Sequence, residues 1–346
     1  MNSSRPLIGM DVGESSIKLS VVSKKGSSLF LDYAGILPFQ TLNGDPPSES
    51  EKIISLKAIF NKNILKKCPV IMNFIGKAPL IRYIKFPDMP EHELAEAVQW
   101  EAKKMIAEPL ETKVIDFAIL QKTNEGGKIS VEVILVVVDK VDVSEGLNVV
   151  RKAGVFPSLM DVNSLALLKV VELNHFGETS QDLIFIDIGA SKMEINICRD
   201  GVLRFTRQIN RGGHLISRSI MEKMSITFDE AERLKKEKGL SGIEVEGLIK
   251  EEVDRMVLEI QRSIDYYRTQ FRDVLLKKLI LMGGTPLMPG FKEYFETQFD
   301  YPVVLENPFL AMTGDQHFLR ELKPVSSVLA ASIGLALRGK LPENSE

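Results

Sequence analysis

The chain has 346 residues, enough at about 150 residues per domain for two domains, or for four subdomains paired into two lobes. With 44% hydrophobic and 26% charged residues its composition is that of an ordinary globular protein, which excludes extensive disorder, collagen-like repeats and a disulfide scaffold. The 44 basic and 47 acidic residues leave a net charge of −3, far from the basicity that draws a protein to phosphate backbones, so nucleic acid is not expected as a partner.

The opening residues, MNSSRPLIGMDVGESS, lack a long apolar core and a cleavage site, so no signal peptide is expected. They lead into an apolar run, LIGMDV at 7–12, then Gly13-Glu-Ser-Ser, then IKLSVV at 17–22. This is a strand, an Asp-x-Gly turn and a second strand, with glycine supplying the freedom a tight turn requires. Residues 43–50 form a loop of turn-forming composition, and Cys68 lies beyond it in KKCPVIM. Residues 87–106 open with prolines and glutamates and place Leu94, Val98, Ala102 and Met105 on one helical face. Two strands follow at 113–121 and 129–138, joined by a turn at 124–127, and a helix at 143–153 ends at Gly154, a suitable left-handed cap. Residues 86–157 thus read as an α-β-β-α unit inserted into the first lobe.

The first pattern then returns. LIFIDI at 183–188 precedes Gly189-Ala-Ser-Lys and MEINIC at 193–198, which carries the second cysteine, Cys198. Asp187 lies 176 residues after Asp11, about half the chain, which implies two related lobes facing one another across a cleft. Neither cysteine has a CxxC or histidine spacing around it, so both read as buried thiols in a reducing compartment. Thr227 and Glu230 form a capping box for a helix running to Gly239. Residues 244–272 carry Val245, Leu248, Ile249, Val253, Met256, Ile260, Ile264 and Phe271 at helical spacing, a helix of roughly 40 Å at about 1.5 Å per residue. LILMGGTPLMPG at 279–290 reads as a strand running into a glycine pair. The run VSSVLAASIGLAL at 325–337 falls short of the roughly 20 apolar residues of a membrane span, and 342–346 reads as a frayed tail. The expected location is the cytoplasm.

A glycine- and serine-rich hairpin turn aims backbone N–H groups and hydroxyls into one concavity, a nest suited to phosphate oxygens. In the first turn these are Gly13, Glu14, Ser15 and Ser16, with the Lys18 ammonium just beyond. Asp11 and Asp187, at the ends of their strands, are suited to hold Mg²⁺ through water beside substrate phosphates. An isolated Asp-x-Gly turn also has a purely structural reading, because both residues are favoured there for local reasons. Two such turns followed by a glycine pair at a strand end, where a flat ligand can approach closely, form a more specific constellation.

With these motifs the chain resembles the actin/Hsp70/sugar-kinase ATPase superfamily, and within it the PilM family of type IV pilus assembly proteins, related to FtsA. The resemblance rests on residues 8–18 as first phosphate motif, 185–192 as second, and Met282-Gly-Gly-Thr285 with Leu287 and Gly290 as adenosine motif. It extends to Asp161-Val-Asn-Ser-Leu-Ala-Leu at the inter-lobe connection and to residues 306–309. It implies an α/β, actin-like (ribonuclease H-like, duplicated) two-lobed fold. The implied division is lobe 1 at 1–85, an FtsA/PilM-type subdomain at 86–158, a connection at 159–181, lobe 2 at 182–324, and a connecting helix with tail at 325–346.

The resemblance further implies binding of ATP with Mg²⁺ by Gly189, Ala190 and Ser191 in the second turn, Gly212 and Gly213 near the phosphates, and Gly283, Gly284, Thr285 and Leu287 at the adenosine. Glu259, Arg262 and Ser263 lie where ribose and base are often contacted, although a solvated polar face is the alternative reading. Asp11, Asp161 and Asp187 are the implied catalytic set, with slow hydrolysis at most because Asp161 stands where faster relatives carry Gln or Glu. Ala190 replaces a glycine or threonine, leaving contact to backbone amides and Ser191. The implied partner is the cytoplasmic N-terminal peptide of a PilN-type inner-membrane protein; other pilus assembly proteins and self-association are further candidates. The ending from Arg338 onward offers no apolar face for direct membrane attachment. The alternatives are an FtsA-like polymerising cell-division protein and an ATPase or small-molecule kinase of the same fold, although no carboxylate base beside an acceptor pocket is identifiable.

Overall fold

The computed structural model describes residues 5–40, 44–61, 65, 68–178, 181–242, 245–271 and 273–338. The first hairpin is β1 (Leu7–Val12) and β2 (Ser16–Lys25), followed by β3 (Ser28–Pro38), α1 (Glu49–Phe60) and β4 (Val70–Asn73). Then come β5 (Leu80–Pro87), α2 (Glu91–Met105), β6 (Lys113–Glu125), β7 (Lys128–Asp139), α3 (Lys140–Lys152), β8 (Leu159–Asp161) and α4 (Asn163–His175). The second half holds β9 (Asp182–Ile188), β10 (Met193–Arg199), β11 (Val202–Ile209), α5 (Gly213–Met224), α6 (Phe228–Lys238) and α7 (Glu246–Gln270). It closes with β12 (Leu276–Met282), α8 (Phe291–Gln298), β13 (Val303–Leu305), α9 (Gln316–Leu322) and α10 (Ala330–Leu337).

Two five-stranded sheets repeat one design. The first has the order β3-β2-β1-β4-β8 and the second β11-β10-β9-β12-β13, each an antiparallel three-strand meander continued by two parallel strands. The central strands are apolar on both faces because helices cover both sides, which is why β1 and β9 read as continuous hydrophobic runs. One core gathers β1, β2, α1 and α3, a second gathers β9, β10, α5 and α7, and a third, around α4 and α10, lies between them.

The connecting helices approach closely. A Cβ on Gly334 of α10 would stand 1.9 Å from the Ala166 carbonyl oxygen of α4, and one on Gly9 of β1 would stand 1.8 Å from that of Ser332. Small residues let backbones meet at distances no side chain would permit. The expected connecting helix from residue 325 onward is α-helical only over Ala330–Leu337; Lys323–Leu329 is a 3-10 helix with Pro324 in its first turn.

The inserted unit contains a strand the periodicity did not bring out. β5 pairs with β7, giving the order β5-β7-β6, and α2 lays Leu94, Val98 and Ala102 on this sheet. Helix α3, placed with that unit by chain order, packs Val150 into the first-lobe core beside Leu56 of α1. The capping boxes at Ser48–Glu51 and Thr227–Glu230 are both formed. Asn43 of the expected loop, Glu244 and Arg272 at the ends of the long helix, and the tail at 342–346 lie outside the described residues. Cys198 is buried, whereas Cys68 is only half-buried.

Candidate functional site

Each sheet carries one Asp-x-Gly hairpin turn, and the two turns close in the same way. Gly13 donates its N–H to the Ser16 carbonyl at 3.1 Å, and Gly189 donates to the Lys192 carbonyl at 2.9 Å. Asp11 stands opposite Lys18 in the first ladder, and Asp187 stands opposite Glu194 in the second. The first turn is held from behind by Asn73 at the end of β4, which accepts from Val12 N–H at 2.9 Å and donates to the Val12 carbonyl at 3.3 Å.

These neighbours give the aspartates different environments. Asp11 is buried and its Oδ2 lies 3.0 Å from Lys18 Nζ. Asp187 is pushed up to about 6, first by desolvation and then by the Asp11 charge, against the opposing pull of Lys18. Glu194 is pushed up to about 8 by desolvation and by Asp187. The structure therefore brings Asp11 and Asp187, from opposite halves of the sequence, within electrostatic reach of one another.

The walls around the second turn are built from glycines and one threonine. Gly213 N–H donates to the Gly189 carbonyl at 3.0 Å, His214 N–H to the Ala190 carbonyl at 2.7 Å, and Thr285 Oγ1 to the Gly189 carbonyl at 2.8 Å. A Cβ on Gly212 would meet the Ala190 carbonyl oxygen at 2.6 Å. Gly283, at φ +88°, would carry a Cβ 2.5 Å from Asp187 Oδ1. Gly284 beyond it is exposed, and Thr285 and Leu287 continue into a 3-10 turn. The N-terminus of α5 and the Gly283–Thr285 loop thus converge on the second turn. Within that turn Ser191 Oγ is buried and has no hydrogen-bond partner among the described residues.

Other sequence-derived candidates are placed differently. Asp161 ends β8, two strands from β1, with its Oδ2 2.6 Å from Arg338 Nε and its Oδ1 accepting from Val162 N–H. Burial raises its carboxyl despite that guanidinium. On α7, Glu259 pairs with Arg207 of β11 at 2.9 Å and with Arg262 at 2.8 Å, while Ser263 donates to the Glu259 carbonyl and accepts from Arg207. None of these described bonds reaches the Gly283–Thr285 loop or the N-terminus of α5.

A different pair occupies that place. Lys235 of α6 is buried, with Nζ 3.0 Å from the Gly213 carbonyl oxygen and 2.6 Å from Glu232 Oε2, which also accepts from Ser217 Oγ. Against desolvation, Lys235 and Ser217 hold the Glu232 carboxyl down at about 2. The signal was available as an i, i+3 Glu–Lys pair inside the capped helix, but such pairs are common on solvated faces and only burial separates this one.

A buried hydroxyl without a partner, glycines where any side chain would block approach, and acidic residues poised on both sides form a donor set that fits a nucleotide phosphate chain with a divalent cation. Among the described residues no helix is long and apolar enough to cross a membrane.

The family model for type IV pilus assembly protein PilM matches residues 9–340. The cell division protein FtsA of Neisseria meningitidis serogroup B is 25% identical over 182 residues, 46% of this chain and 44% of that protein. The ethanolamine utilization protein EutJ of Escherichia coli K12 is 26% identical over 153 residues, 44% of this chain and 49% of that protein, so the chain spans about half the length of the curated relatives it matches. Among solved structures, a PilM-PilN type IV pilus biogenesis complex superposes with TM-score 0.83 at 24% identity, covering 97% of this chain and 99% of that one. MreB 5 of Spiroplasma citri bound to AMPPNP gives TM-score 0.53 at 13% identity, over 97% and 96% of the two chains. These likenesses establish the two-lobed, duplicated actin-like fold.

Proposed function

The chain belongs to the type IV pilus assembly protein PilM family, and from that premise we propose that it is an ATP-binding scaffold of the pilus assembly complex at the inner membrane. The observation that carries the nucleotide reading is the pair of turns with the same closure, whose Asp11 and Asp187 lie within electrostatic reach of one another. Gly13, Glu14, Ser15, Ser16 and Lys18 line the first side of the triphosphate. Gly189, Ala190 and Ser191 line the second, with Gly212 and Gly213 closing behind them. Gly283, Gly284, Thr285 and Leu287 seat the adenosine, and Lys235 with Glu232 stands beside it. Mg²⁺ carried with the nucleotide, held through water by Asp11 and Asp187, offsets the phosphate charge.

Turnover is slow in this reading. Asp161 is the residue assigned to orient water, yet its carboxylate is engaged by Arg338 and its backbone is tied into the sheet, with Phe74 N–H donating to its carbonyl at 2.7 Å. Nucleotide then acts chiefly by population: if the closed arrangement of lobes binds Mg·ATP better, the nucleotide favours closure without hydrolysis. The partner is the cytoplasmic N-terminal peptide of a PilN-type inner-membrane protein, through which the scaffold is held at the membrane. A structural neighbour described as a PilM-PilN complex supports this choice. The test is retention of the full-length protein on that synthetic peptide, with and without Mg·ATP. Retention that increases with nucleotide supports the scheme, and no retention in either condition contradicts it.

A further inference from the structure

Lys192, the last residue of the second turn, sends its side chain out of its own lobe. Its ammonium lies 3.5 Å from Glu14 Oε1 in the first turn and 3.5 Å from the carbonyl oxygen of Gly76, in the segment after β4. Both partners belong to the opposite lobe, so this side chain bridges the two lobes. Its contacts are long, and it and Glu14 are 38% and 37% exposed, the setting in which an ion pair contributes little. Lys18, by contrast, is held at 3.0 Å by buried Asp11. Glu194, two positions along, stands opposite Asp187 in the ladder of its own lobe. Immediately before Lys192 stands the unpartnered Ser191 Oγ.

A loosely held ammonium beside an unsatisfied hydroxyl, between two phosphate-shaped turns, has a stronger partner available than a solvated carboxylate. Phosphate oxygens carry more charge and accept charge-assisted hydrogen bonds. We propose that Lys192 is the residue that distinguishes a nucleoside triphosphate from a diphosphate. With a terminal phosphoryl group present, Lys192 leaves Glu14 and Gly76 for that group, and the released Glu14 carboxylate is repelled by the same phosphate. With a diphosphate, Lys192 stays on Glu14 and Gly76. The lobes are thereby bridged directly in one state and through the terminal phosphate in the other. This inference rests on the nucleotide reading above, and goes beyond it by assigning the specificity to one side chain.

The test is titration calorimetry of the full-length protein with Mg·AMPPNP and with Mg·ADP, for the unaltered chain, Lys192→Ala, Lys192→Gln and Glu14→Gln, each checked for folding by thermal melt. Lys192→Ala should weaken AMPPNP by at least about tenfold, the scale of one lost charge-assisted hydrogen bond, and alter ADP by less than about twofold. Glu14→Gln, which frees Lys192 from its carboxylate, should tighten AMPPNP relative to ADP. Lys192→Gln should reproduce the alanine result if removal of charge is the cause. Equal weakening of both nucleotides, or of neither, overturns the role of Lys192 while leaving the site intact. An unaltered chain that binds neither nucleotide overturns the site and this inference together.

Discussion

Lys18 faces Asp11 across the first hairpin with Nζ 3.0 Å from Oδ2, and the residues at the same two places in the second hairpin are Glu194 and Asp187. The duplication is therefore geometrically alike and electrostatically unequal. The first turn carries an ion pair, while in the second Glu194 is raised by burial and by Asp187, which is itself raised by burial and by Asp11. An incoming cation gains most beside Asp187, where it relieves the repulsion that Asp11 adds to desolvation.

That inequality predicts a pH dependence of stability. Asp187 shifts from 3.8 to about 6 and Glu194 from 4.5 to about 8, so the folded state holds protons that the unfolded state has released. Stability from these groups is full below their unfolded values and falls as pH rises through their folded ones. The melting temperature should decline between about pH 4.5 and 8, with the portion between pH 6 and 8 reduced in Glu194→Gln. Glu232, depressed to about 2, loses its contribution only in stronger acid, outside this window. His175, raised by Glu306 against desolvation, also loses its contribution as pH rises, which is why the comparison with Glu194→Gln is needed. An identical decline in the variant contradicts the assignment.

Asp182 predicts a large loss of stability. It is 1% exposed and accepts from Arg199 Nε at 2.9 Å, Arg199 Nη2 at 2.5 Å, Tyr267 Oη at 2.7 Å and Leu275 N–H at 2.9 Å. Asp182→Ala removes one partner of a buried pair and leaves donors unpaired, a change that costs about 3–5 kcal/mol. Urea unfolding measures it; a loss under about 1 kcal/mol would mean that water replaces the carboxylate.

Two glycines should separate folding from binding. Gly334→Ala forces a methyl group into the Ala166 carbonyl between α4 and α10, and overpacking of this kind costs about 1–3 kcal/mol or more. Gly283→Ala instead strains a left-handed backbone and displaces Asp187 Oδ1. Melting should fall further in the first variant, and Mg·nucleotide affinity in the second. The reverse order would place Gly283 outside the site.

The hairpins, the capped helix α6 and the long helix α7 were legible because each writes a local period or cap into the sequence. The repeat was legible because both copies kept an aspartate and a glycine at one spacing. β5 was not, since RYIKFP alternates weakly and gains its identity from pairing with β7. Nor was the tie between Asp161 and Arg338, residues far apart in sequence that meet only through the fold. The family resemblance points to Glu259, Arg262 and Ser263 on α7, whereas burial beside Gly213 singles out Lys235 on α6. Periodicity identifies which residues share a face, and tertiary packing decides what that face meets.

If both acidic turns bind one nucleotide with its metal, titration calorimetry with Mg·ATP should detect that binding and its dependence on each aspartate. The full-length protein should show one site per chain, with Asp11→Ala and Asp187→Asn each weakening it by at least about tenfold while the protein stays folded. Unchanged affinity in either folded variant would contradict it.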